Sequence, residues 1–560
     1  MFLKRYLIFG IIFILLSTGK SSAFLFNNKD KLQSPDYMTN YLYGSLLYNE
    51  KRHNSAAKYL DRIDKLQELH FDYDIKKVNT NLINSELEKA ADLVFDTDDT
   101  YKNVFIFNFV KAIYYLKEGN YNEASKELKK TGEPDLLFAE LKKILNFWIN
   151  IQQSSLSESE EIIRDFKSRY SSISIINQHL ASSFIKNEKL YEKYNAQVLK
   201  SENLVRYKIL SAWNEIRNGN KSKALKIINE SLKLNSNNLL LKQSYVNFMQ
   251  GSDNIQDFFD PSNFNHHISE IFYLFSNLYQ QRSDIMFSEV LLGISLDFNE
   301  KFISNKLIMF ENKIIENPDY KFNSYFLNNL KNIGSEYDWF VNYQLLKNDQ
   351  IKSIKNLENK IKSEKFFLES KYLDLADYLR AKKEYTSAIK YYDRVEAEQK
   401  DLNWTFYYFR GICFERTGDW KKAEINLTKA ISLSPKQYTV INYLAYSWLE
   451  RRENIDKATK MLEEAVKLSQ WNLGYIIDSL GWAYFIKGDY NKAEKLLKIA
   501  YEKTPSEGEV YDHYGDVLWK QKKYLQARYV WKNALTLEST DDKRKSSLQN
   551  KIVNGLKKSD

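Results

Sequence analysis

The chain has 560 residues and a formal charge of +9, and its 17 glycines and 6 prolines, about 3% and 1% of the total, fall well below the usual usage of roughly 7% and 5%. Apolar residues at 43%, charged residues at 28% and aromatics at 15% exclude a disordered, collagen-like or low-complexity polypeptide and leave a packed, mostly helical protein as the expectation. The single cysteine, Cys413, excludes an internal disulfide and any multi-cysteine metal site, and the charge is too thinly spread over this length to point to nucleic acid.

At the amino end, Lys4 and Arg5 precede an apolar run from Tyr6 to Leu16, followed by a polar stretch ending Ser21-Ser22-Ala23. That is the three-part pattern of a secretory signal peptide, with cleavage expected after Ala23 and removal of three positive charges. An eleven-residue run rises only about 16 Å as a helix, roughly half a bilayer core. No cysteine follows it to carry a lipid, and no other run reaches spanning length. The expected location is periplasmic, with association at the outer membrane as a further expectation.

Beyond the leader the sequence repeats. Gly44, Leu47, Ala56 and Leu60 make a faint first copy. Ala112, Tyr115, Gly119, Tyr121, Ala124 and Leu128 make another, and Ala212, Gly219, Ala224 and Ile228 a third. Residues 135–200 and 230–370 keep helical apolar spacing but lose the small-residue slots, so the repeat register is open there. From Ala376, Leu379, Tyr385, Ala388 and Tyr392 onward the copies sharpen. WTFYYFRGICFERTGDWKKAEINLTKAISLSP, residues 404–435, returns seventy residues later as GYIIDSLGWAYFIKGDYNKAEKLLKIAYEKTP. Gly411, Ala445, Gly481 and Gly515 are spaced by 34, 36 and 34 residues, with Ala423, Ala458, Ala493 and Ala527 on the following helices. Small residues in phase mark where two helices of a pair approach most closely, and a period of about 34 is that of the tetratricopeptide (TPR) repeat. Gly418-Asp419 and Gly488-Asp489 supply turns between the helices of a pair.

The expected fold is therefore all-α, a TPR-type α-solenoid superhelix of roughly 12 to 15 stacked antiparallel helix pairs with a concave wall. The expected divisions are a signal peptide over 1–23, divergent TPR-like repeats over 24–369, about five well-matched repeats over 370–537, and a polar capping helix or tail over 538–560. That tail holds Lys543, Arg544, Lys545, Lys551, Lys557 and Lys558, and reads as a solvated end.

The stretch DSLGWAYFIKGDYNKAEKLLKIAYEKTPSEGEVYDHYGDVLWKQKKYLQARYVWKNAL resembles the terminal repeats of a bacterial family of exported TPR proteins, and HISEIFYLFSNLYQQRSDIMFSEVLLGISLDFNEKF resembles a middle segment of it. The resemblance covers roughly residues 370–537 and 267–311. It implies a scaffold role: better-described members are outer-membrane lipoproteins that partner a periplasmic carboxyl-terminal processing protease, helping it degrade cell-wall hydrolases. This chain lacks the lipidated cysteine of those members.

In this repeat class the first helix of each pair lines the concave wall. Counting from the small residues, Asn442, Tyr446, Asp478, Trp482, Phe485, Asp512, Asp516 and Trp519 face it. The wall is acidic and aromatic, suited to a segment with basic and apolar residues. The alternative for the same residues is that Trp482 and Trp519 pack between repeats while the aspartates solvate or cap helices.

Chemistry is hard to place. None of the six histidines has metal-binding spacing; the nearest group is His266, His267 and Glu270, and Asp512-His513 with Asp516 lies inside a repeat helix. Cys413 reads as a small buried hydrophobe. No phosphate loop or nucleophile elbow is present, and no cofactor is called for. The leading expectation is a non-catalytic scaffold capturing an envelope protein, including a processing protease or its substrate. The alternatives are a metal-dependent hydrolase using His266, His267 and Glu270, and a self-assembling structural component.

Overall fold

A computed structural model of the chain describes residues 35–63, 71–97, 104–251, 259–316, 333–349, 351 and 353–556. The expected leader and its cleavage point lie outside the described residues, as do Lys557 and Lys558 of the tail. Among the described residues all regular structure is helical, in 29 helices with no strand, so the all-α expectation holds. The chain divides into two compact units, one ending at Ser353 and one beginning at Ile354.

The second unit opens with a short helix, Lys355–Ile361, and continues as five hairpins: Leu368–Ala381 with Tyr385–Glu398, Trp404–Arg416 with Trp420–Leu433, Tyr438–Glu450 with Ile455–Leu468, Gly474–Ile486 with Tyr490–Lys503, and Gly508–Lys520 with Tyr524–Leu535. A last helix, Asp542–Asn554, packs on Tyr524–Leu535. The small residues sit where the repeat pattern demands. A Cβ on Gly481 would lie 2.7 Å from Leu497 Cγ, and one on Gly515 would lie 2.2 Å from Trp531 Nε1. Ala445 is fully buried at the same slot.

Each hairpin turn is closed the same way. The second residue after the first helix takes a left-handed conformation at Lys383, Gly418, Arg452, Gly488 and Lys522, with φ between 56° and 86°. The next N–H then bonds the carbonyl five residues back, as Asp419 does to Phe414 at 2.9 Å and Lys523 to Leu518 at 2.9 Å, which satisfies carbonyls the helix end leaves open. Asp419 and Asp489 go on to cap the second helix by accepting from the N–H groups of Lys422 and Lys492.

In the first unit the left-handed turn residue recurs at Lys51, Ser85, Gly119, Lys186, Gly219 and Ser283. It therefore sets the register inside 135–200 and 230–370, where small residues gave no signal: Ser171–Phe184 pairs with Glu188–Lys200, and Phe264–Gln281 with Ile285–Phe298. This unit departs from the nearest-neighbour stacking expected of a solenoid. The pair 264–298 packs back on helices Phe71–Ile83 and Leu136–Gln153. Gly293 meets the Leu82 backbone so closely that a Cβ would lie 1.8 Å from its carbonyl oxygen. His267 stacks on Trp148 at 4.5 Å, and the Leu87 N–H donates to Asp297 Oδ1 across 210 positions of sequence. Phe105, Phe109 and Phe138, on first helices of early pairs, close around Phe287. Apolar side chains of the chain itself thus cover the inner faces of those helices.

Candidate functional site

The first helices of the last three hairpins, Tyr438–Glu450, Gly474–Ile486 and Gly508–Lys520, place the sequence-derived site residues in two groups. The first centres on His513. Its Nδ1 lies 2.9 Å from Asp478 Oδ2, and its ring stacks on Trp482 with centroids 4.1 Å apart and planes 13° from parallel. Trp482 stacks in turn on Phe485 at 4.7 Å and donates its indole N–H to Glu450 Oε1 at 3.1 Å. Tyr446 donates its hydroxyl to Glu509 Oε1 at 2.9 Å. Asn442 is buried on the neighbouring helix, and its Oδ1, like Asp478 Oδ1, has no hydrogen-bond donor.

Burial disfavours the charged imidazole of His513, but Asp478, then Glu509 and Asp512, outweigh it and push its pKa up to about 9. The ring face stacks on the Trp482 indole while its edge nitrogen meets the Asp478 carboxylate, an arrangement that favours the imidazolium form. Burial raises the Glu509 carboxyl, yet His513 and Arg544 hold it below its ordinary range. This group therefore combines stacked aromatic rings with buried, paired charges, and of its rings Tyr446 and Trp482 stay half-buried.

The second group, Asp512, Asp516 and Trp519, meets the chain's own last helix. Lys551 Nζ donates to Asp512 Oδ1 at 2.6 Å and to both Asp516 oxygens at 2.8 Å. Arg544 donates to Asp512 Oδ2 at 3.2 Å and to Glu509 Oε1 at 2.7 Å. Asp516 also accepts the Trp531 indole N–H at 3.1 Å. Burial, then Asp512, push Asp516 above the ordinary carboxylate range against the pull of Lys551. Trp519 packs on Tyr524 and Trp531 and is covered by Gly555, where a Cβ would lie 2.0 Å from the indole. Arg544 and Lys551 are thus not a solvated end.

His513, Glu509, Arg544 and Lys551 belong to this wall but were not among the residues counted from the small-residue slots. His513 and Glu509 lie one turn or less from Asp512 on the same helix. Arg544 and Lys551 carried a signal as basic residues seven apart, which the reading of the tail as solvated passed over.

The groups considered for catalysis are engaged otherwise. His267 is fully buried, held near pKa 4 first by desolvation, with Nε2 2.8 Å from the Pro261 carbonyl. His266 Nδ1 accepts the Asp260 N–H, and Glu270 is bound bidentately by Arg206 at 2.6 Å through both nitrogens. Burial pushes the Cys413 thiol up to about 12. Among the described residues no three His, Cys, Asp or Glu side chains are grouped to hold a metal ion, and no helix is long and apolar enough to cross a membrane.

Comparison with known proteins agrees with the hairpins of the second unit. The tetratricopeptide-repeat family model matches residues 373–438. A TPR repeat-containing protein of Pseudomonas aeruginosa is 29% identical over 117 residues, covering 21% of this chain; the match spans only 19% of that relative's length. Among solved structures, a thermophilic TPR protein of Thermus thermophilus is 18% identical over 33% of this chain and 99% of its own, with a TM-score of 0.29. MamA of Desulfovibrio magneticus is 18% identical over 31% of this chain and 97% of its own, with a TM-score of 0.27. The chain is thus an all-α protein whose second unit is a run of helical hairpins and whose residues 373–438 match the tetratricopeptide repeat, a repeat class that generally serves as a scaffold for protein interaction.

Proposed function

We propose that the chain is a non-catalytic scaffold that captures another protein on the first-helix wall of its last three hairpins. One observation carries the reading: Tyr446, Asp478, Trp482, Phe485 and His513 form one connected set of stacked rings and buried charges on that wall. Half-buried Tyr446 and Trp482 offer aromatic contact area at low entropic cost, because Glu509 holds the tyrosine hydroxyl and buried Phe485 and His513 hold the indole. The leader-like first 23 residues and the resemblance to exported scaffolds support an envelope partner, and a periplasmic processing protease or one of its substrates is the partner we favour.

The reading is tested by placing a photo-crosslinking residue at Trp482 and, separately, at outward-facing Lys498 in cells, then identifying what each captures from the envelope. Expected is a defined protein from the Trp482 position and none from Lys498. Equal capture from both, or none from either, overturns the wall as the site.

A further inference from the structure

The last helix of the second unit is attached by ion pairs together with a narrow apolar contact, buried Leu548 and half-buried Ile552. Its 13 residues, Asp542–Asn554, carry Lys543, Arg544, Lys545 and Lys551 against Asp542 alone. Only Leu548 is buried on it, whereas every helix between 404 and 535 buries at least four residues. Arg544, Leu548 and Lys551, at positions i, i+4 and i+7, form one stripe along the helix. That stripe meets a second one on Gly508–Lys520: Glu509, Asp512 and Asp516, at i, i+3 and i+7. Arg544 spans Glu509 and Asp512, Lys551 spans Asp512 and Asp516, and Leu548 enters the apolar cluster with Tyr511, Leu518 and Trp531. Asp512 and Asp516 are 5% and 4% exposed, so their charges depend on these cations rather than on water.

A basic, weakly apolar helix thus occupies the very aspartates that the repeat pattern assigns to partner binding. We propose that the last hairpin is a receptor for helical segments bearing a basic–leucine–basic stripe at i, i+4 and i+7, that the carboxyl-terminal helix is a resident copy of such a ligand, and that a partner segment of this class binds by replacing it. This rests on the wall being a protein-binding surface and adds the chemistry of what it binds. A tethered copy competes at high effective concentration, so the free chain is held closed to weak or non-specific basic helices.

The test uses the full chain and a labelled synthetic peptide spanning Asp541–Leu556, followed by fluorescence anisotropy. In the Arg544→Glu/Lys551→Glu chain the resident helix is repelled by its acidic seat. The peptide is expected to bind that chain at least about tenfold more tightly than the wild-type chain, and a peptide with both basic positions changed to Glu is expected to bind neither. Equal binding to the two chains, or equal binding of the two peptides, overturns the proposal. Should the double variant lose helix content by circular dichroism, Lys551→Gln replaces it with the same outcomes. In the wild-type chain, amides of 542–554 are expected to exchange faster than those of 508–520; identical rates mean the helix never leaves alone and contradict replacement. Absence of peptide exchange leaves the Trp482 cross-link untouched, whereas a partner captured only at Lys498 fails the wall reading whatever the peptide does.

Discussion

His513 gives the wall its clearest pH signature. Its folded pKa of about 9 stands above the ordinary value of about 6.5, so the native state holds a proton that the unfolded chain has lost between those values. The stabilisation is fully present below about pH 6.5 and is lost as pH rises through about 9. It is of order 1–3 kcal/mol for a shift of this size on a buried ring. Asp478→Asn is expected to bring the His513 NMR titration midpoint down toward or below 6.5 and to flatten the stability change of helices Gly474–Ile486 and Gly508–Lys520 across that window. A midpoint near 6.5 in the wild-type chain contradicts the assignment. Spacing singled out Asp478 and Trp482 together, because residues four apart lie on one face of a helix. The imidazole between them was not legible in the same way: a lone histidine on a repeat helix looks like packing until its neighbours from the next helix are known.

At the scale of elements, the repeat depends on how near two helices of a pair can come. Gly411 would place a Cβ 3.0 Å from the Leu427 side chain, whereas Gly515 would place one 2.2 Å from the rigid indole of Trp531. Gly411→Ala therefore trades a small shift of a flexible side chain against a helix-propensity gain of about 1 kcal/mol and is expected to be near neutral. Gly515→Ala is expected to cost about 1–3 kcal/mol by overpacking. Amide exchange of 404–433 and 508–535 reads each hairpin separately, which suits a repeat array better than a single melting point; equal effects contradict the close-approach account. The strong repeats were readable because Gly, Ala and the Gly-Asp turn recur in phase. The weak ones in 135–200 and 230–370 were not, because they lack the phased small residues and their left-handed turn position holds Lys or Ser in place of Gly. Lys186 and Ser283 hold the same backbone conformation as Gly488 while leaving no trace in composition.

The two units, taken one at a time, use the inner faces of their helix pairs differently. In the first, the pair 264–298 lies against earlier first helices through Phe287, His267 and Gly293, so that wall is filled by the chain's own apolar side chains. In the second, the wall keeps charges and stacked rings, and only its last hairpin is covered, by a basic helix. Nearest-neighbour repeat logic foresaw the stacked hairpins of the second unit but neither the helix that covers the last of them nor the packing of the first unit, since nothing in a 34-residue period announces a contact 210 positions away. The same logic is why the proposed partner surface is sought on the second unit.

The most direct measurement of that claim is the affinity of the protein captured at position 482 for the Tyr446→Phe/Trp482→Ala chain relative to wild type, with amide exchange verifying that the last three hairpins stay folded. Loss of a stacked central aromatic and its neighbour's hydroxyl is expected to weaken binding by roughly tenfold or more. A folded variant that binds with wild-type affinity would contradict the account.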